Sequence, residues 1–189
     1  MLTIAAPAKI NLTLRVLGKR ADGFHEIETL IVPLGLADRV TVEEAEAWSF
    51  SCDDPTVPGD ERNLVVKAAR LFFAETGVGD GVKVRLEKRI PHGAGLGGGS
   101  SDAAATLVVL DRLFGTGVTR ERMMELAAEL GSDVPVVIEV GDEILPGIGR
   151  EELLELRVEL GGEGLVVGND ERGPLGKRMH PRSNSCRWA

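Results

Sequence analysis

The chain has 189 residues, 43% hydrophobic and 28% charged, which are globular values and exclude wholesale disorder or a fibrous repeat. Its formal charge of −8 excludes a broad basic surface for nucleic acid, because that binding draws on phosphate neutralisation; any bound anion must be held locally. No apolar run reaches the ~18–20 residues of a membrane span, Lys9 and Asn11 interrupt any N-terminal signal stretch, and two distant cysteines, Cys52 and Cys186, form neither a disulfide framework nor a metal spacing, so a soluble cytoplasmic protein is expected.

In chain order, Lys9 to Val16 alternates Ile10, Leu12, Leu14 and Val16 with mostly polar neighbours, the period of a half-buried strand. Arg20 to His25 contains an Asp-Gly turn, after which Ile27–Leu36 reads as a second extended segment and Asp38–Val42 as a third. Residues 52–62 are polar and contain prolines, which predicts a loop. Asn63 is placed to cap a helix carrying Leu64, Ala68, Leu71 and Phe72, with Gly77 just past its end. Val82, Val84 and Leu86 alternate with Lys83, Arg85 and Glu87 in a further strand. A mostly buried helix follows from about Ser101 to Phe114, and Thr119 caps another that stops at Gly131. Strands first and helices interleaved later indicate an α+β fold.

Glycine is the informative excess, with 24 residues, several crowded between Gly93 and Gly99. The segment Pro91, His92, Gly93, Ala94, Gly95, Leu96, Gly97, Gly98, Gly99, Ser100, Ser101 joins the last strand to the apolar helix. Glycines let successive N–H groups curl into one concavity, and the helix adds its own unpaired N–H groups and positive dipole end. A phosphate fits there even on an acidic protein, with Ser100 and Ser101 as further donors or as ligands to Mg²⁺. A plain flexible linker would need no such neighbours. Gly93, Gly95 and Gly98 also satisfy the dinucleotide string GxGxxG, but that motif belongs to the first strand–helix turn of a parallel unit; a P-loop is excluded because no Lys-Ser or Lys-Thr follows.

Four pieces in register, Pro7 to Leu12 (PAKINL), Asp22 to His25 (DGFH), Pro91 to Ser101 with Asp102 behind it, and Gly131 to Pro135 (GSDVP), resemble the GHMP-type small-molecule kinases. The likeness covers roughly residues 1–135. It implies a GHMP N-terminal domain of the ribosomal protein S5 domain 2-like type over 1–150, with ATP and Mg²⁺ at the glycine loop. It implies transfer of the γ-phosphoryl group to the 2-hydroxyl of a cytidyl diphosphate methylerythritol, in the non-mevalonate route to isoprenoid precursors. By the same resemblance Asp133 is the base with Lys9 beside it, and Phe24 and His25 hold the cytosine ring. Asn11, on the strand beside Lys9, is placed to hydrogen-bond the substrate, with a capping or structural role equally open. Nucleic-acid and membrane partners are not expected.

After Pro135 the family's pattern is lost: Val136-Val-Ile138 stands where an aromatic pair belongs, and the second domain is expected to be largely missing. Residues 151–189 form an atypical segment, in which 151–167 could make a helix and a strand. The stretch 171–189, with five basic residues against Glu171, reads as a disordered tail of out-of-frame or truncated coding origin. The alternatives left open are a catalytically impaired nucleotide-binding fragment, or a GHMP kinase acting on another small alcohol.

Overall fold

A computed structural model describes residues 1–19, 25–138, 156–161 and 164–168. The element order is β1 (Leu2–Lys19), β2 (His25–Glu44), β3 (Ser49–Cys52), α1 (Leu64–Thr76), β4 (Val82–Glu87), α2 (Gly98–Phe114), α3 (Arg120–Leu130), β5 (Leu156–Gly161) and β6 (Gly164–Gly168). Residues 134–138 are helical as well. Residues 20–24 of the expected turn, Phe24 among them, parts of the 151–167 segment (151–155 and 162–163) and the tail 171–189 lie outside the described residues, as does the side chain of His25.

The sheet runs β3-β4-β2-β5-β6, with β1 along the other edge of β2. All its pairings are antiparallel except β3–β4, and that parallel pair is reached through α1, as a crossover requires. Two segments expected as separate strands, Ile27–Leu36 and Asp38–Val42, are one continuous strand. The irregularity at 34–36 does not turn the chain. It is absorbed as a register shift, in which Pro7 faces Ala37 while Lys9 faces Pro33. Where a helix and a strand were expected near the end, the described residues form the antiparallel pair β5–β6, docked by Leu156–Glu159 on Glu28–Ile31.

Helices cover one face of the sheet. In β4, Val82, Val84 and Leu86 are buried while Lys83 and Arg85 are exposed, as period-2 alternation demands. Those residues, with Val40 and Val42 of β2, pack against Val65, Ala68 and Phe72 of α1 and Ala103, Leu107 and Leu110 of α2. Each large apolar side chain fully buried in this way contributes about 1.5–3 kcal/mol. Phe73 meets Trp48, Phe72 and Phe114 edge-on, at ring-centroid distances of 6.1, 6.0 and 6.3 Å. The helix ends follow the sequence signals. Asn63 Oδ1 accepts from Val65 N at 2.9 Å, Gly77 closes α1 at φ 68°, and Thr119 Oγ1 accepts from Arg122 N. The far arm of β1 presents Leu12, Leu14, Val16 and Leu17 as exposed side chains.

Candidate functional site

The glycine segment occupies the connection between β4 and α2. Gly93, Gly95 and Gly97 all have φ near +70°, a conformation that curls the main chain and that side-chain-bearing residues adopt at a cost. The helix opens at Gly98, three residues earlier than expected, and its N-cap Gly97 supplies no side-chain cap. The N–H groups of the first turn therefore have no side-chain acceptor, which is the condition for receiving an anion. Ser101 Oγ, in that first turn, and Asp102 Oδ1, just after it, are buried without a hydrogen-bond partner among the described residues.

Lys9 on β1 joins this loop to the opposite wall. Its N–H donates to Leu96 O at 2.9 Å. A methyl group added at Gly97 would lie 2.9 Å from Lys9 Cγ and 2.8 Å from Cε, so the loop and the lysine stem are in direct apposition. At the far end of the side chain, Lys9 Nζ is 2.9 Å from Asp133 Oδ2. It also donates to Asn11 Oδ1 at 2.8 Å, and Asn11 Nδ2 donates in turn to Thr29 Oγ1 at 2.7 Å. Both polar groups of Asn11 are thus engaged in holding the ammonium. Thr29 is itself buried and donates to Thr13 O, so the chain of hydrogen bonds ends on the β1 backbone.

Asp133 stands in a turn between α3 and the helical residues 134–138. Val134 N bonds Gly131 O and Val137 N bonds Asp133 O, while Val134, Val136, Val137 and Ile138 are buried and fix the turn to the core. The aliphatic run that replaces the expected aromatic pair is therefore packed against the domain. Lys9 engages Oδ2, and Oδ1 has no partner among the described residues. Pro7, Lys9, Ile31, Pro33, Asp133 and Val136 border a shallow depression open to solvent. Lys9, Asn11, Asp133 and the Pro91–Ser101 loop are brought together; the structure does not locate Phe24 or the His25 imidazole.

A second charged group escaped the sequence reading. Asp38 of β2, fully buried, accepts hydrogen bonds from Arg89 N, Ile90 N and Lys88 Nζ. Lys88 Nζ also donates to Asp102 Oδ2 at 2.8 Å. Burial raises the Asp102 carboxyl to about 7, with Lys88 pulling it down and the Asp38 charge pushing it up. Burial alone would depress Lys88, but Asp102 and Asp38 outweigh it and hold the ammonium above the ordinary lysine value. Lys88 precedes the loop and Asp102 follows it, a hint that both belong to the same place; the sequence carries no sign that Asp38 joins them.

Comparison with known proteins gives this arrangement its relatives. Residues 63–141 match the model of the GHMP kinases N terminal domain, a span that includes α1, β4, the glycine loop, α2, α3 and Asp133. The chain belongs to the GHMP kinase family through its N-terminal domain. Two relatives are each named 4-diphosphocytidyl-2-C-methyl-D-erythritol kinase. That of Thermoanaerobacter pseudethanolicus is 46% identical over 145 residues, which is 77% of this chain and 50% of the relative. That of Methylacidiphilum infernorum is 50% identical over 132 residues, 69% of this chain and 46% of the relative. A crystal structure of 4-(cytidine 5'-diphospho)-2C-methyl-D-erythritol kinase superposes with a TM-score of 0.64 at 41% identity, covering 82% of this chain and 55% of that one. The GHMP domain described here thus spans about half the length of the curated relatives it matches. Among the described residues no helix is long and apolar enough to cross a membrane, and no group of three or more His, Cys, Asp or Glu side chains is placed to hold a metal ion.

Proposed function

We propose that this chain transfers the γ-phosphoryl group of ATP to the 2-hydroxyl of 4-diphosphocytidyl-2-C-methyl-D-erythritol, the acceptor named in its relatives. One observation carries the reading: a single lysine, Lys9, touches the glycine loop with its stem and the Asp133 carboxylate with its ammonium. A phosphate cradle and a proton acceptor are thereby held within one side chain's length of each other, as in-line phosphoryl transfer requires.

In this mechanism the loop's N–H groups and the mouth of α2 hold the phosphates. Asp133 accepts the proton of the acceptor hydroxyl through Oδ1, while the oxygen–phosphorus bond forms and the bond from the γ-phosphorus to its bridging oxygen breaks, releasing ADP. Lys9 keeps Oδ2 turned away and offsets negative charge on the transferring group. The hydroxyls of Ser100 and Ser101 are hard oxygens of the kind Mg²⁺ takes, and Ser101 Oγ lacks a partner among the described residues, so these two would hold the ion. When bound, the ion supplies charge neutralisation at the phosphates. His25 and Phe24 are proposed to hold the cytosine ring, and a small-molecule substrate in a cytoplasmic setting completes the reading.

The test is phosphoryl transfer to the cytidyl acceptor. Asp133→Asn should lower kcat by about 10²–10⁴-fold, the usual contribution of a general base, while the affinity for ATP changes little. A wild-type chain that binds ATP but never forms product would replace this reading with that of a nucleotide-binding domain without turnover.

A further inference from the structure

Asp38 and Lys88 stand outside the chemistry just described, yet they form the most enclosed charged group among the described residues: the side chains of Asp38, Lys88 and Asp102 are 0%, 8% and 3% exposed. Their partners are distributed in a particular way. Arg89 N and Ile90 N, which donate to Asp38, lie immediately upstream of Pro91, where the glycine loop begins. Asp102, which accepts from Lys88, lies near the start of α2, immediately after the Ser100-Ser101 pair that ends the loop segment. Lys88 Nζ sits 3.4 Å from the position a Cβ would take on Gly98, directly against the start of the helix.

From this we infer that Asp38 is a positioning residue for the nucleotide cradle: it fastens the upstream end of the glycine loop to the sheet directly, and the downstream end through Lys88. The physical need is plain. A loop rich in glycine has more conformations to lose than any other, and an anion can be held by its N–H groups only if they already converge. The loop itself has few side chains with which to hold its own shape. A buried carboxylate can accept several hydrogen bonds, and a lysine between two carboxylates links strand β2 to helix α2 across the loop. The same contacts would be an expensive way merely to stabilise the core, since apolar residues of similar volume do that as well or better. The inference rests on the reading of the loop as the nucleotide cradle.

The experiment uses the full chain and two substitutions, with amide hydrogen exchange and the binding of a non-hydrolysable ATP analogue as readouts. In Asp38→Asn, protection at Arg89 and Ile90 should fall at least tenfold, as should protection at Ser101 and Asp102, while the amides of α1 keep theirs. The analogue should bind about tenfold more weakly. In Lys88→Met, Asp38 still holds Arg89 and Ile90, so protection should fall at Ser101 and Asp102 alone. That asymmetry also decides the matter should Asp38→Asn fail to fold. Loss of protection spread over the whole domain, or local loss with unchanged analogue affinity, overturns the positioning role. A wild-type chain that binds no analogue overturns it too, together with the function proposed above, and is recognised before any variant is made.

Discussion

Substitution of Gly97 by alanine probes the junction of loop, lysine and acid most directly. Gly97 has φ 71°, and a side chain in that left-handed region costs about 1–2 kcal/mol. Its new methyl would lie 2.9 Å from Lys9 Cγ and 2.8 Å from Cε, too close for any real contact, so the lysine stem must move and its bonds to Asp133 and Asn11 lengthen or break. Charge-assisted hydrogen bonds of this kind contribute roughly 1.5–3 kcal/mol where partly shielded. A total loss of about 2.5–5 kcal/mol is expected, which for a chain of this size lowers Tm by roughly 5–20 °C. Gly99, two residues on, supplies the control. It lies inside α2, has no positive φ, and its methyl would meet only Leu64 Cδ1 at 3.7 Å, an ordinary contact. Gly99→Ala should therefore stabilise by about 0.5–1 kcal/mol, as removal of a helical glycine does. Thermal unfolding followed by circular dichroism separates the two in one experiment. Equal melting temperatures for the two variants would refute the apposition of Gly97 and Lys9.

Three further outcomes are expected. Because the Asp102 carboxyl is raised to about 7 by burial, the folded state binds a proton that the unfolded chain, near 3.8, releases. Its contribution to stability is therefore full below about pH 4 and is lost as pH rises towards 7, by up to about 1.4 kcal/mol per pH unit. Urea unfolding between pH 5 and 7.5 should show wild type losing stability relative to Asp102→Asn over that window, and parallel curves would contradict it. Asn63→Ala removes both the cap on Val65 N and the bond to Pro58 O, and should lower the stability measured in urea by about 1–2 kcal/mol. Asp133→Asn should slow product formation by about 10²–10⁴-fold without abolishing ATP binding; a kcat within about tenfold of wild type would remove Asp133 from the role of base.

The parts of this site that sequence could disclose are those with local signatures. The glycine run between an alternating strand and an apolar helix announced its own geometry, and Asn63, Gly77 and Thr119 announced helix ends, because capping is decided within a few residues. The meeting of Lys9 and Asp133, at 2.9 Å, was expected only from the family resemblance, since nothing local in either segment refers to the other. Continuous β2 was misread as two strands because the irregularity around Gly35 resembles a turn; only the opposite strand, with its matching register shift, shows that it is not. Short β3 is four residues in parallel pairing, too little for a period to be read. Asp38 was invisible for a related reason. Its partners lie on the far side of α1 in sequence, and a buried carboxylate among apolar neighbours looks no different from a surface one until the chain is folded.

The long strand β2 is paired along one edge by two different partners: Arg39–Glu44 by β4, and Glu28–Ile31 by β5. On the ribosome these partners emerge at very different times. The first pairing can close once Glu87 has been made, whereas the second waits until translation has passed Glu159. In the interval the Glu28–Ile31 stretch offers bare main-chain donors and acceptors beside the apolar arm of β1, a template on which neighbouring nascent chains can add. The pairing of β2 with β5 joins residues about 130 positions apart, the widest separation in the sheet, and non-local pairings of that kind close slowly.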